Sequence, residues 1–155
     1  MVEIITAHTD KDLEAAAFLF KEYAAWLNID LCFQNFDEEL LRLKEMYAEP
    51  DGAILLSKEE DIYTGCVAVR KKGHKIAELK RMYVRPAYQK KGLGEKLLKE
   101  ALSMAKELGY EKIRLDTLAH MTPAINLYEK YGFTLIDPYY FNPESNALFF
   151  EKKLS

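Results

Sequence analysis

The chain has 155 residues, with 22 Lys and Arg against 25 Asp and Glu, so its formal net charge is −3. This length suits a single domain spanning residues 1–155 with a core of its own, and an apolar fraction of 49% argues against disorder. The charge is uneven, because residues 70–100 carry 11 Lys/Arg and 3 Asp/Glu (+8) while residues 1–69 carry 5 and 15 (−10). We call residues 70–100 the basic belt.

Several classes of site are missing from the sequence. The two cysteines, Cys32 and Cys66, lie far apart without a CxxC or Cys/His cluster, so we expect neither a disulfide framework nor a metal site. The start does not resemble a signal peptide, and the longest purely apolar run, Ala15–Phe20, is far shorter than the ~20 residues of a membrane span. We therefore expect a cytoplasmic protein without a membrane partner.

The first half of the chain predicts a strand, two helical stretches and three further strands. Val2–Ala7 is a β-branched run, and the helix after Thr9 has apolar residues at helical spacing to Leu27. A second helical stretch opens at Asp37 and ends before Pro50–Gly52. Three strands with short connections, typical of an antiparallel meander, are then expected at Ala53–Ser57, Ile62–Arg70 and Lys75–Val84.

The apolar phase changes within the last of these strands. Ala77 and Leu79 occupy odd positions, whereas Met82 and Val84 occupy even ones. Since side chains alternate between faces, an extra residue within 80–82 would restore the pattern, which indicates a β-bulge. A strand that is buried on both faces is the alternative.

The second half predicts a loop at 89–94, a long amphipathic helix from Leu93 to Leu108, and a strand at Lys112–Thr117. A short helix opening at Thr122 and Pro123 ends at Gly132. Two aromatic-rich strands, Phe133–Phe141 and Ala147–Lys153, follow. We expect an α+β fold with a mixed, mainly antiparallel sheet of about seven strands and about four helices.

The loop before the long helix has the features of a phosphate site. A helix N-terminus presents unpaired amides and a partial positive charge, and Gly92 and Gly94 allow a close approach to the backbone. Arg85, Lys90 and Lys91 would supply countercharge. Taken alone, these residues are better explained by an ordinary turn beside a solvated basic face.

Two motifs in this half resemble one enzyme family. The run from Glu78 through Glu95 contains Gln89-Lys-Lys-Gly-Leu-Gly94 and looks like the [Q/R]xxGx[G/A] acetyl-CoA motif of the GNAT N-acetyltransferases. Ala124–Phe133 resembles their later AxxLYxxxGF signature, at the family's usual separation. The segments 30–40, 115–118 and 142–143 look like those of a bacterial subgroup of the family.

The resemblance implies a GNAT-like sheet with central splayed strands and acetyl-CoA as the cosubstrate. The pantetheine arm would pair with the bulged strand at Met82, Tyr83 and Val84. The pyrophosphate loop would comprise Gln89, Lys90, Lys91, Gly92, Leu93, Gly94 and Glu95, with Asn126 and Lys130 reaching the cofactor from the short helix. Met121 departs from the family, since many members have Asn there.

The resemblance also implies transfer of the acetyl group to an amine by direct attack. Tyr128 matches the family's frequent general acid, although it is equally suited to packing against the sheet. Glu78 lies at the family position from which a carboxylate relays a proton through water, although a strand carboxylate beside Lys80 needs no such role. Asp116 and the run Asp37–Glu39 are weaker candidates, the run being explained by the helix dipole.

The acceptor site is expected between the first two helices and the loop between the last two strands. The candidate substrate-binding residues are aromatic: Trp26, Phe33, Phe36, Tyr139 and Tyr140. We expect a small or amino-acid-like amine as acceptor and no nucleic-acid partner. The sequence leaves the oligomeric state open, with a homodimer, as in many relatives, as one option. The alternatives are a protein N-terminal or lysine acetyltransferase, a non-catalytic acetyl-CoA-sensing module, and a nucleic-acid surface on the basic belt.

Overall fold

A computed structural model describes residues 2–27 and 36–154. Its strands are β1 Val2–Thr6, β2 Ala53–Glu59, β3 Ile62–Gly73, β4 Ile76–Val84, β5 Lys112–Leu118, β6 Thr134–Ile136 and β7 Ala147–Lys153. Its helices are α1 Asp10–Leu27, α2 Phe36–Leu41, α3 Leu43–Met46, α4 Leu93–Glu107 and α5 Thr122–Lys130, with a 3-10 turn at Pro86–Tyr88.

The strands form one sheet in the order β1-β2-β3-β4-β5-β7-β6. Every neighbouring pair is antiparallel except β4 and β5, which run parallel. The expected mixed, mainly antiparallel α+β sheet is therefore confirmed. In the described ranges, none of the helices has the length and apolar character needed to cross a bilayer.

Two predicted elements differ from the structure. The second helical stretch is divided into α2 and α3, because Arg42 between them leaves the helical conformation (φ −127°, ψ 30°). The predicted strand Phe133–Phe141 is only three residues long, since Asp137 and Pro138 do not continue the ladder and Pro lacks the amide that pairing requires.

A helix covers each face of the sheet. On one face, buried residues of α4 such as Leu97 and Ala101 pack against Val67, Val69 and Leu79. On the other face, Leu19 and Phe20 of α1 pack in a second core cluster with Ala68 of β3. The apolar period of each helix therefore fixes which face of the sheet it covers.

The bulge predicted in β4 is confirmed by the strand register. Cys66 pairs with Tyr83 and Ala68 pairs with Lys80, so β4 has one residue more than β3 over this stretch. Arg81 adopts a left-handed φ of 58°. As a result Ala77, Leu79, Met82 and Val84 all belong to the core cluster under α4. Residues 77–81 are also all buried, so β4 is covered on both faces as well.

The bulged half of β4 separates from β5. The two strands pair only through Ile76–Glu78 and Lys112–Arg114, whereas β5 remains paired with β7 as far as Leu118. A cleft therefore opens through the middle of the sheet. The central strands are splayed, as the sequence resemblance implies.

One glycine allows the close packing beside this cleft. A Cβ on Gly65 in β3 would lie 2.8 Å from the carbonyl oxygen of Tyr83 and 3.2 Å from Cδ1 of Leu97. We expect Gly65→Ala to lower the free energy of unfolding by about 1–3 kcal/mol, because backbone atoms must shift to admit the methyl group. Urea denaturation measures this change.

Gly73→Ala is the matched control, because its Cβ would meet no atom closer than Cδ1 of Ile76 at 4.0 Å. This variant should keep the wild-type urea midpoint or exceed it slightly, since alanine reduces the entropy of the unfolded chain. Equal midpoints for the two variants would contradict the packing argument.

Candidate active site

The cleft between β4 and β5 is lined from both faces of the sheet. Its walls come from α1, β4, β5, α5 and the segment between β6 and β7, and they comprise Tyr23, Leu27, Leu79, Lys80, Arg81, Met82, Leu115, Asp116, Thr117, Leu118, Met121, Ala124, Tyr128 and Asn142. A molecule in this cleft would therefore contact groups that lie on opposite sides of the sheet.

The loop after β4 is shaped to receive an anion. Gly92 (φ 81°) caps α4, and Lys90 is also left-handed (φ 65°). The first-turn amides of α4, at residues 93–95, have no preceding helical carbonyl to pair with, and helical pairing with Gly92 begins at Lys96, 3.1 Å from its oxygen. A Cβ on Gly92 or Gly94 would meet no atom within 4 Å, so this backbone is open to a phosphate.

Gln89 fixes the loop to the end of β4. Its side-chain Nε2 donates to the carbonyl oxygen of Val84 at 2.9 Å. This contact joins the splayed strand β4 to the loop before α4. It therefore fixes the position of the predicted pyrophosphate loop relative to the strand that is predicted to hold the pantetheine.

The basic belt is not one surface, which changes the interpretation of its charge. Lys80 and Arg81 are buried within the protein, and the Arg70 guanidinium is three-quarters buried against Glu78. Lys71, Lys72 and Lys75 lie at the far end of the β3–β4 hairpin, and Arg85 forms an ion pair with Glu22 at 3.0 Å. The exposed countercharge beside the loop comes from Lys90 and Lys91.

The other predicted cofactor residues occupy varied environments. Glu95 accepts hydrogen bonds from Lys130 (2.6 Å) and Tyr131 (2.7 Å), which links α4 to the end of α5. Asn126 is exposed on α5. The buried Tyr83 donates its hydroxyl to Glu22 at 2.8 Å, so its side chain is already engaged. Their contacts with a cofactor stay predictions.

Tyr128 lies in the α5 wall of the cleft. Its ring is buried, with 6% exposed, and packs against Phe133 at a centroid distance of 5.6 Å. Within residues 2–27 and 36–154 its hydroxyl has no hydrogen-bond partner. Burial raises the pKa of the phenol far above its usual range, so the group remains a proton donor at neutral pH.

Glu78 is fully buried beside the cleft and does not belong to its wall. Its carboxylate accepts from Nε of Arg70 (2.9 Å) and from the hydroxyl of Tyr139 (2.8 Å), with Nζ of Lys80 3.8 Å away. Burial alone would raise its pKa, but Lys80, Arg70 and the Tyr139 hydrogen bond together hold the pKa below its ordinary value. The group is therefore ionised.

Asp116 is the carboxylate found in the cleft wall among the residues described. It accepts from the hydroxyl of Tyr140 at 2.5 Å and from Nδ2 of Asn142 at 3.0 Å. Lys80 lies in the same wall, and burial, followed by the charge of Arg81, lowers the pKa of its ammonium group to about 8. This end of the cleft is thus polar, with one carboxylate and one amine.

The predicted substrate-binding aromatics do not form a single surface. Trp26 is 42% exposed and packs on Tyr83, whereas Phe36 is buried beneath the Arg81 guanidinium, 5.1 Å from its ring centroid. Tyr139 and Tyr140 pack edge-on against Phe149. Their hydroxyls donate to the carboxylates of Glu78 and Asp116, respectively. Phe33 lies outside the described residues.

The sequence interpretation missed one buried ion pair. Glu39, 1% exposed, accepts from Nε of Arg81 at 3.0 Å and from its second nitrogen at 2.8 Å. The helix-dipole explanation fits the exposed Asp37 and Glu38 but not Glu39. The sequence feature that indicates burial of Glu39 is its position three residues after Phe36 and four before Leu43, on the apolar side of the helical stretch.

The comparisons with known proteins agree with this geometry. Residues 20–133 match the acetyltransferase (GNAT) family. An uncharacterized N-acetyltransferase of Schizosaccharomyces pombe is 36% identical over 156 residues, covering 99% of this chain and 96% of the relative, so the similarity extends beyond bacteria.

Solved structures share the fold over the full chain. A GNAT acetyltransferase from Staphylococcus aureus gives a TM-score of 0.80 at 21% identity, covering 100% of both chains. PaiA N-acetyltransferase from Thermoplasma acidophilum, crystallised with coenzyme A, gives 0.75 at 22% identity over 99% of each chain. With the family match covering residues 20–133, these findings show that the chain belongs to the GNAT family of acetyltransferases.

Proposed function

We propose that this acetyltransferase moves the acetyl group of acetyl-CoA to the amine of a small or amino-acid-like acceptor. The observation that carries the proposal is the cleft through the sheet, together with the anion-receptive loop that follows the same strand, β4. Tyr128 and Asp116 both line this cleft. A cytoplasmic location stays a prediction from the sequence, and a homodimer stays one option for the assembly.

The residues around the loop fit the phosphates of coenzyme A. The open amides at 93–95 and the charges of Lys90 and Lys91 would hold the pyrophosphate. The edge of β4 that turns away from β5 would pair with the pantetheine arm, with Met82 at the cleft. The coenzyme A complex of the T. acidophilum protein, which has the same fold, supports this assignment.

Acetyl-CoA supplies an activated acetyl group, and its transfer needs a polarised carbonyl, a neutral amine and a protonated leaving thiolate. The amide of Met82 is our candidate for polarising the carbonyl, because a bulge turns amides out of the ladder. Tyr128 holds the proton for the thiolate, and the cleft excludes much of the competing water around its ring.

The acceptor ammonium must lose a proton before it can attack. Asp116 lies in the cleft wall, and the hydrogen bonds that it accepts from described residues both arrive at Oδ2, which leaves Oδ1 open to an amine with respect to that part of the chain. Glu78, the residue implied by the family resemblance, would act only through a water, since Arg70 and Tyr139 occupy its oxygens. We propose Asp116 as the primary proton acceptor and keep Glu78 as the alternative.

A small polar acceptor is favoured by the walls of the cleft. Tyr23 and Leu27 of α1 line it together with Asn142, and Lys80 and Asp116 supply charges of both signs. Such a lining suits an amine that carries further polar groups.

A non-catalytic acetyl-CoA sensor would need the phosphate loop but neither Tyr128 nor Asp116.

Coenzyme A should raise the melting temperature, because a ligand that binds only the folded state stabilises it. Gly92→Ala should reduce this shift, since the methyl group would enter the open loop and strain a residue at φ 81°. Gly109→Ala, at φ 94° beyond the other end of α4, carries a similar strain and should keep the wild-type shift. No shift with millimolar coenzyme A would contradict the proposal.

Tyr128→Phe should lower kcat at least tenfold and leave the coenzyme A shift unchanged, because it removes only the proton donor. A thioester-consumption assay with a panel of small amines measures the loss. Tyr110→Phe is the matched control, since Tyr110 is similarly buried and donates to the carbonyl of Asp51 far from the cleft. It should reduce stability alone, and unchanged turnover in Tyr128→Phe would remove the proposed acid.

Asp116→Asn should lower kcat by a factor of about 10²–10⁴, the usual contribution of a general base. Glu78→Gln should affect stability more than kcat. The opposite ranking of the two variants would assign the proton transfer to Glu78.

Glu78→Gln also predicts a change in the pH dependence of stability. Because the folded-state pKa of Glu78 is lowered, its contribution is fully present above the ordinary carboxyl pKa of about 4.3 and is lost as the pH falls through the folded value. The variant should therefore be less stable at neutral pH and lose less stability on acidification. Urea midpoints from pH 7 to pH 3 measure the difference, and parallel curves would contradict it.

A further inference from the structure

The bulge residue Arg81 has a backbone conformation that residues other than glycine rarely adopt. Its φ of 58° lies in the left-handed region, which costs a non-glycine residue roughly 1–2 kcal/mol. A residue persists in this region only where its surroundings hold it. The contacts of Arg81 therefore determine whether the bulge keeps its shape.

The side chain of Arg81 is held from α2. Glu39 accepts two hydrogen bonds from the guanidinium, at 2.8 and 3.0 Å, in a geometry that fixes both the position and the plane of the group. The charged ends of both residues are buried, with 3% and 1% of their side chains exposed. The ring of Phe36 lies 5.1 Å from the guanidinium carbon and covers it.

The backbone of Arg81 is held from β3. Sγ of Cys66 donates to the carbonyl oxygen of Arg81 at 3.2 Å. Burial raises the pKa of this thiol, so it keeps the proton that it donates. The bulge is thus fixed through its side chain by one element and through its carbonyl by another.

The next residue along the chain is Met82, which lies in the cleft wall together with Tyr128. The direction of the Met82 amide depends on the peptide that joins it to Arg81. We propose that Glu39 is a positioning residue, which acts through Arg81 to aim the Met82 amide at the acyl carbonyl. This inference rests on the proposed function, because that function requires the amide.

A purely structural role for the pair makes a different prediction. Removing one partner of a buried ion pair leaves an uncompensated charge and destabilises the fold, whereas replacing both by apolar residues is often neutral or stabilising. If Glu39 and Arg81 served stability alone, a double apolar variant would recover activity together with stability. If they position the bulge, it would recover stability only.

The experiment compares Glu39→Gln with the double variant Glu39→Leu/Arg81→Met. We expect the single variant to lower both the melting temperature and kcat, the latter at least tenfold. We expect the double variant to regain most of the melting temperature while kcat remains at least tenfold below wild type. The KM for acetyl-CoA should stay within about threefold in both, since the phosphate loop is untouched.

Glu151→Gln is the matched control, because Glu151 accepts from Nε of Arg114 at 2.7 Å in a second ion pair, which joins β5 to β7 and is partly buried. It should lower the melting temperature without changing kcat. Arg81→Lys keeps the charge with a single donor group and should lose less turnover than Glu39→Gln.

A second readout does not depend on turnover. With a non-hydrolysable acetyl-CoA analogue, the amide proton resonance of Met82 should move downfield in the wild type and much less in both Glu39 variants. Recovery of kcat and of this shift in the double variant would overturn the proposal. Failure of coenzyme A to bind the wild-type protein would instead refute the proposed function.

Discussion

The extra residue in β4 is the constraint on which the rest of the structure depends. Up to Leu79 the strand packs its odd positions under α4, and after Arg81 it packs its even ones there, so both segments keep their apolar side chains buried. A bulge bends the strand that contains it. Here the bend coincides with the end of the pairing between β4 and β5, and the same irregularity thus preserves the core and opens the cleft.

The positive charge of residues 70–100 also serves two purposes, ion pairing inside the fold and exposed charge beside the loop. The sequence concentrates positive residues at 70–100. Two of them form ion pairs within the fold, on the face of the sheet opposite α4: Arg70 with Glu78 and Arg81 with Glu39. Buried ion pairs contribute little net stability, because desolvation offsets their attraction. Their geometric specificity is more consequential, since the Arg81–Glu39 pair joins residues 42 positions apart in the sequence beside the cleft.

The elements with a clear period were predictable, and so was the bulge. The long helix α4 has an uninterrupted 3.6-residue apolar pattern, and the phase change between Leu79 and Met82 gave the position of the extra residue. The aromatic run at 139–141 led to the wrong prediction of a strand as far as Phe141, because aromatic residues are common in strands. They instead fold over the sheet, where Tyr139 and Tyr140 meet Glu78 and Asp116. Those contacts span 61 and 24 residues, and only the topology brings their partners together.

The brief pairing of β4 with β5 divides the sheet into two antiparallel halves, β1–β4 and β5–β7, joined by three residue pairs. The loop shaped for phosphate follows the first half, whereas Asp116, Tyr140 and Asn142 belong to the second. Outside the contacts that Tyr139 and Tyr140 make with β3 and β4, the segment between β6 and β7 can therefore change without altering the strand and loop on the other side of the seam. Such modularity would let the proposed acceptor side of the site change while the proposed coenzyme A side stays the same.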